Sequence, residues 1–278
     1  MCDGKLSRNY HTHVFAKELL GSLYPTSIMD SELTLPLDVL LHITELLADD
    51  RNGTKSLQIL SQTCKFMVPI CRRHLFSSLR LTSSILFERL GDLLSKNPDI
   101  ARYVRSLNYR MYYASISRDH ELTTLNILKV RSPLKSIELS SPRANWNDYP
   151  ESIRLSLLSL IELPTVTHLN IFNFGRFPAT ALSGCTNLMN LQFGYIELIF
   201  PDWEFDHVIS RSKIPTPAFL NIGRGASGLL PILHAGGPID FCHLKMVLFD
   251  VEFQSDIDKI NKLIKLTRRL RYIEITIE

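Results

Sequence analysis

Apolar positions along this chain follow a helical period at first and a strand-like period later. In Leu35-Pro36-Leu37-Asp38-Val39-Leu40-Leu41-His42-Ile43-Thr44-Glu45-Leu46-Leu47, the residues Val39, Leu40, Ile43, Leu46 and Leu47 fall on one helical face. Pro36 suits the first turn, where its missing N–H costs nothing, and Asp38 suits the positive end of the helix dipole. The polar run 48–53 predicts a turn, and Thr54 a helix N-cap. The second helix is expected to run to about Met67 with two apolar stripes. One is Leu57, Leu60, Cys64 and Met67; the other is Ile59, Thr63, Phe66 and Ile70. Pro69 is expected to break or kink it, leaving a short third helix from Ile70 to Phe76. Such a unit, about 45 residues long, has too little core to stand securely alone. One stripe can close its own interior, and the other needs cover from elsewhere.

Further along, three spaced apolar anchors recur. They appear as Val104-x-x-Leu107-x-Tyr109, Leu134-x-x-Ile137-x-Leu139, Val166-x-x-Leu169-x-Ile171 and Leu188-x-x-Leu191-x-Phe193. They return as Leu244-x-x-Val247-x-Phe249 and Leu270-x-x-Ile273-x-Ile275, with a weaker copy at Pro217-x-x-Leu220-x-Ile222. Successive copies lie 22 to 32 residues apart, close to the spacing of leucine-rich repeats. Helix-like stretches at 86–94, 152–163 and 257–266 fall between them, and 177–184 reads as a single turn. One strand and one helix cannot bury their own apolar side, but stacked copies can. The expected fold is therefore α/β: a three-helix N-terminal unit, then an irregular repeat solenoid with a parallel sheet and outer helices. The expected domains are a tail at 1–32, the helical unit at 33–80 and the repeats at 81–278.

Alternation within each strand sorts the side chains. Leu107, Ile137, Leu169, Leu191, Leu220, Val247 and Ile273 are expected to point inward. Asn108, Glu138, Asn170, Gln192, Asn221, Leu248 and Glu274 are expected on the open, concave face. Arg110, Ser140, Phe172, Gly194, Gly223, Asp250 and Thr276 form a second column there. This mixture of amides, both charges and the apolar points Phe172 and Leu248 suits a protein target better than a polyanion. The run Tyr272-Ile273-Glu274-Ile275-Thr276-Ile277-Glu278 is a β-prone edge without a polar cap. The expectation is that the sequence continues beyond it in a longer protein, the alternative being a partner on that edge.

The helical segment carries a resemblance. Leu35-Pro36-Leu37-Asp38-Val39-Leu40, then Ile43, Leu46, Leu47, Leu57, Leu60, Cys64, Lys65 and His74-Leu75-Phe76 resemble an F-box, especially the F-box-like segments of fungal receptor families. Met67 stands where that family often has Trp, Thr63 where it often has Val, and the loop 48–56 is longer than usual. The resemblance implies docking onto the small Skp-family adaptor of a cullin-RING (SCF) ubiquitin ligase. It implies contact through Leu35, Pro36, Leu40, Ile43, Leu57, Leu60 and Cys64. Leucine-rich repeats often follow an F-box, so the repeats would hold a target protein. The target-binding residues would be Asn108, Arg110, Glu138, Asn170, Phe172, Gln192, Asn221, Leu248, Asp250 and Glu274. The alternative is a stand-alone protein-binding scaffold whose helices only cap the repeats.

Composition adds exclusions. With 31 basic and 28 acidic residues the charge is nearly balanced, which does not point to nucleic acid. An odd number of cysteines (five) without CxxC argues against a disulfide framework or zinc, and for cytoplasm or nucleus. No apolar run is long enough to span a bilayer. The one motif with chemistry is Gly223-Arg224-Gly225-Ala226-Ser227-Gly228, a GxGxxG after the strand-like Phe219–Ile222, with Asp250 beyond. It leaves a nucleotide-dependent enzyme as a distant alternative. Pro231, Gly236, Gly237 and Pro238 allow only a stub of helix after it, so it reads as a repeat loop. No nucleophile, base or metal ligand has convergent partners, so neither enzyme activity, cofactor nor metal is expected.

Overall fold

A computed structural model describes residues 35–50, 52–111, 119–199, 214–224, 232, 237–251 and 254–277. The chain divides into two compact units, 1–43 and 44–278.

In the first, Pro36 accepts a bond from the Leu40 N–H and opens helix α1, Leu37–Asp49, with Asp38 in its first turn. The division between units falls within this helix.

The second unit begins with two short helices, α2 (Gly53–Thr63) and α3 (Met67–Leu75). Gly53, not Thr54, opens α2, and Asn52 precedes it. A Cβ at Gly53 would overlap the Leu47 carbonyl, so only glycine fits there. The break between helices comes earlier than Pro69 suggested. Cys64 is extended, with φ −156° and ψ 156°. Pro69 instead lies in the first turn of α3, where no N–H is needed.

An eight-stranded sheet follows: β1 (Ser78–Leu81), β2 (Ser106–Arg110), β3 (Ser136–Asn145), β4 (His168–Gly175), β6 (Asn190–Gly194), β8 (Phe219–Ile222), β9 (Met246–Val251) and β10 (Tyr272–Ile277). Two-residue strands β5 (Phe177–Pro178) and β7 (Leu198–Ile199) pair separately. Every neighbouring pair in the main sheet is parallel, and its strand order follows the chain. Parallel neighbours need crossovers. Among the described residues four of these contain α-helices: α4 (Ser84–Lys96), α5 (Asp119–Arg131), α6 (Glu151–Ile161) and α7 (Gln254–Leu266). Ser83 caps α4 by accepting the Leu86 N–H. The predicted turn at 177–184 is β5 followed by a 3-10 turn, Ala179–Gly184.

The α/β expectation thus holds in its general form, with a parallel sheet and helical crossovers. Leu107, Ile137, Leu169, Leu191 and Leu220 are fully buried, and Val247 nearly so. They share one core with Phe87 and Leu94 of α4, Leu125 and Leu128 of α5, Leu157 and Leu160 of α6, and Leu263 of α7. Ile273 departs from its row: it is 38% exposed, because no strand among the described residues follows β10.

Candidate functional site

Two surfaces carry the sequence-predicted residues. The first is the open face of the sheet. Strand pairing sets Asn108, Glu138, Asn170, Gln192, Asn221, Leu248 and Glu274 side by side across seven strands, and adds Arg80 on β1. All but the exposed Glu274 and Arg80 are half-buried. Asn108 Nδ2 donates to Glu138 Oε1 at 2.6 Å, linking two strands. In the next row Arg110 aligns with Ser140, Phe172 and Gly194, and Asp250 with Thr276. Gly194 is a close approach: a Cβ there would stand 2.9 Å from the Phe172 ring, so glycine lets that ring lie across β6.

A third row went unnoticed in the sequence. Ser78, Ser106, Ser136, His168, Asn190, Phe219, Met246 and Tyr272 also align. Its signal was available: each residue precedes a buried anchor by one position, and alternation puts it on the open face. The row gives the face two different ends. Serines occupy the β1–β3 end, together with Arg80, Arg110 and Glu138. Phe219, Met246, Leu248 and Tyr272, with Asp250 and Glu274, occupy the β8–β10 end.

The second surface lies on the first helices. Leu35 and Pro36 are exposed, Leu40 is 7% exposed, and Ile43 is half-buried. On α2 the first stripe turns inward: Leu57 is 2% exposed and Leu60 half-buried, with Met67 also buried on α3. The exposed Cys64 ends that stripe. Leu57 is therefore covered within its own unit, and Leu40 is buried as well. Large apolar side chains that do face outward are Leu35, Leu37, Val39, Leu46, Ile59 and Phe66. Ile59 and Phe66 belong to the second stripe, which the sequence left in need of cover.

The thiols differ in environment. Burial, and then the neighbouring Cys64, raise the Cys71 pKa. Cys242 donates through Sγ to Asp240 Oδ2 at 2.9 Å, and that bond, burial and the carboxylate charge hold its thiol up. Cys185 is buried. Since the thiolate is the reactive form, Cys64 is expected to be modified first among the four described cysteines, and Cys71, Cys185 and Cys242 slowly. Mass-resolved labelling with iodoacetamide at pH 8 checks this; early labelling of Cys242 would contradict it.

The glycine motif has its first residue just past β8. Gly223 N–H donates to the Phe193 carbonyl at 2.7 Å, and the Arg224 carbonyl accepts from Tyr195 N–H at 2.6 Å. The Gly223 N–H thus serves strand pairing and not a phosphate. Gly225, Gly228 and the stretch 229–234, Ile232 apart, lie outside the described residues, as does the tail at 1–32. Among the described residues no cluster of His, Cys, Asp and Glu could hold a metal, and no helix is long and apolar enough to cross a membrane. No family model matches the sequence, and no curated protein is significantly similar to it. The class defined by the fold is thus an α/β protein with a parallel sheet.

Proposed function

We propose that this chain is the substrate-recognition subunit of an SCF-type ubiquitin ligase. Residues 35–76 act as an F-box that docks onto a Skp-family adaptor, and a leucine-rich-repeat-like array holds a target protein. One observation carries the reading: Leu46, Ile59 and Phe66, 41–60% exposed, stand on the segment whose sequence resembles an F-box. Exposed apolar side chains of this size call for a partner when they gather on one segment. The chain itself performs no chemistry in this reading. It raises the local concentration of target beside a catalytic subunit. The graded sheet face favours a target with an acidic stretch for Arg80 and Arg110, and a basic, apolar stretch for the β8–β10 end.

Adaptor binding tests the reading. Ile59→Glu and Phe66→Asp are expected to weaken capture of a Skp-family adaptor by roughly tenfold or more each. Both sites are exposed, so far-UV circular dichroism should not change. Ile85→Glu, on exposed Ile85 of α4, should leave capture intact. No capture by the unmodified chain, or equal capture by all variants, ends this reading.

A second reading is a stand-alone scaffold capped by its helices. In its favour, α2 and α3 belong to the same compact unit as the sheet, and α3 packs against the 3-10 turn Pro98–Tyr103. It predicts that removing residues 35–76 lowers the melting temperature without losing any adaptor.

A further inference from the structure

The open face of the sheet has a gap between β4 and β9. Pairing aligns Phe172 of β4 with Gly194 of β6. The β6–β8 and β8–β9 registers, carried one residue on, bring Gly223 and Asp250 into the same row. Alternation turns this row outward, since Ile171, Phe193, Ile222 and Phe249, one position earlier, are buried. Between an aromatic ring and a carboxylate the row therefore crosses two strands that carry no side chain. A Cβ at Gly194 would lie 2.9 Å from Phe172 Cδ1. One at Gly223 would lie 3.6 Å from Gly194 Cα and 3.8 Å from Asp250 Oδ2. The ring thus leans in from one side and the carboxylate from the other. Gln192 and Asn221, paired with each other two residues earlier on β6 and β8, border the gap with amides. At the opposite border the Tyr195 N–H donates to the Arg224 carbonyl.

What this gap lacks is a cation. Asp250 is half-buried, yet its carboxylate has no hydrogen-bond or ion-pair partner among the described residues. The side-chain amides of Gln192 and Asn221 have none there either. By contrast, Glu138 at the other end of the face accepts from Asn108. A carboxylate partly withdrawn from water and left unpaired is stabilised by a cation that brings its own hydrogen bonds. Backbone strain falls at the same place. Phe172 and Gly194 are each followed by a left-handed residue, Asn173 at φ 61° and Tyr195 at φ 49°. Non-glycine residues seldom adopt that region, and such strain gathers at binding sites.

We propose that the gap takes an arginine side chain of the target protein. The methylene stem of an arginine lies along Phe172 and the bare backbone of the two glycines. Its planar guanidinium pairs with both Asp250 oxygens, and the remaining donors meet the amide oxygens of Asn221 and Gln192. Lysine has the stem but not the fork, so it fits less well. A phosphate or an acidic side chain is repelled by Asp250. The inference rests on the recognition role proposed above only in naming a protein as the source of the arginine. It narrows the basic stretch expected at this end of the face to one residue type and one seat.

The test uses the whole chain, isotope-labelled for amide NMR, and the blocked tripeptide acetyl-Gly-Arg-Gly-amide. Companion peptides carry lysine or citrulline in place of arginine; citrulline keeps the shape without the charge. Arginine should shift the Gly194, Tyr195 and Gly223 amides saturably, lysine less, and citrulline not at all. Asp250→Asn, which keeps the size of the side chain, should weaken arginine binding by about tenfold or more. The same spectrum reports whether that variant is folded. Asp258→Asn, on exposed Asp258 of α7, removes the same charge elsewhere and should leave binding unchanged. Unshifted glycine amides, equal binding of the citrulline peptide, or an Asp250→Asn variant that binds as well would each overturn the proposal. Free arginine binding more tightly than the blocked peptide would also overturn it, by making the gap a metabolite site. None of these outcomes involves the adaptor, so adaptor capture through Ile59 and Phe66 stands or falls separately.

Discussion

Trp146→Ala is expected to destabilise the second unit by about 3–5 kcal/mol, the range for removing a buried aromatic. Trp146 sits in the 3-10 turn after β3 and is 2% exposed. Its ring meets Phe177 edge-on at 4.9 Å between centroids and Phe174 at 5.8 Å, and Tyr149 meets Phe174 at 6.4 Å. Edge-to-face pairs add to the area they bury, so the cost combines lost burial, lost pairs and a cavity. Nothing nearby can collapse cheaply into that cavity. Tyr149 is held by a 2.9 Å bond to Ser141, and Ser141 also accepts the Ala144 N–H. Asn145 N–H donates to Asp148, which fixes the turn itself. Urea unfolding should show a lower midpoint with little change in slope, since the exposed area on unfolding hardly changes. Trp146→Phe should fall between the two. A midpoint within experimental error of the unmodified chain would show that this aromatic cluster is not part of the cooperative core.

The position of this cluster was hard to foresee, whereas the sheet was not. Each strand of the repeats announces itself by alternation, because burying one face of a strand demands a period of two. Leu107, Ile137, Leu169, Leu191, Leu220 and Val247 stand in one buried row, as their spacing implied. The same spacing occurs in Phe76-x-x-Leu79-x-Leu81, yet β1 was assigned to the helical unit because it follows the F-box-like run directly. Helix α5 was also missed. Its Leu122, Leu125 and Leu128 are separated by Thr and Asn, which blunts the apolar face. Those same residues pack it: Leu125 and Leu128 are fully buried.

The candidate surfaces were legible in a different measure. Alternation alone placed the sheet face correctly, since side chains must go one way or the other. On α2 the pattern offered two stripes, and nothing local decides which of them turns inward. Packing with α3 decides it, by burying Leu57, Met67 and Cys71 and leaving Ile59 and Phe66 outside. The break at Cys64 has the same origin. Ser61-Gln62-Thr63-Cys64-Lys65-Phe66 contains neither Gly nor Pro to stop a helix. Bringing α3 back against α2 requires one extended residue, and tertiary contact overrides the local preference.

Breaking the ion pair at the start of α7 is the other change with a large expected effect. Lys259 Nζ lies 2.6 Å from Asp256 Oδ1, and the two side chains are only 7% and 11% exposed. Asp256→Ala takes away the carboxylate that holds the Lys259 ammonium this far out of water and leaves it uncompensated, at a cost of about 3–5 kcal/mol. The two deletions should not be equal. Asp256 lies in the first turn of α7, where the helix dipole favours an anion. Lys259→Ala therefore leaves a carboxylate with some support. Asp256→Ala leaves an ammonium beside the positive end of the helix, and should cost more. Replacing both together, Asp256→Leu with Lys259→Met, should cost far less than the sum, because neither charge remains to be desolvated. A double-mutant cycle from urea midpoints measures the coupling directly. Additive single costs would mean that water reaches the pair. The expected non-additive result would mean that α7 is pinned in register beside Ile260 and Leu263, both buried in the core.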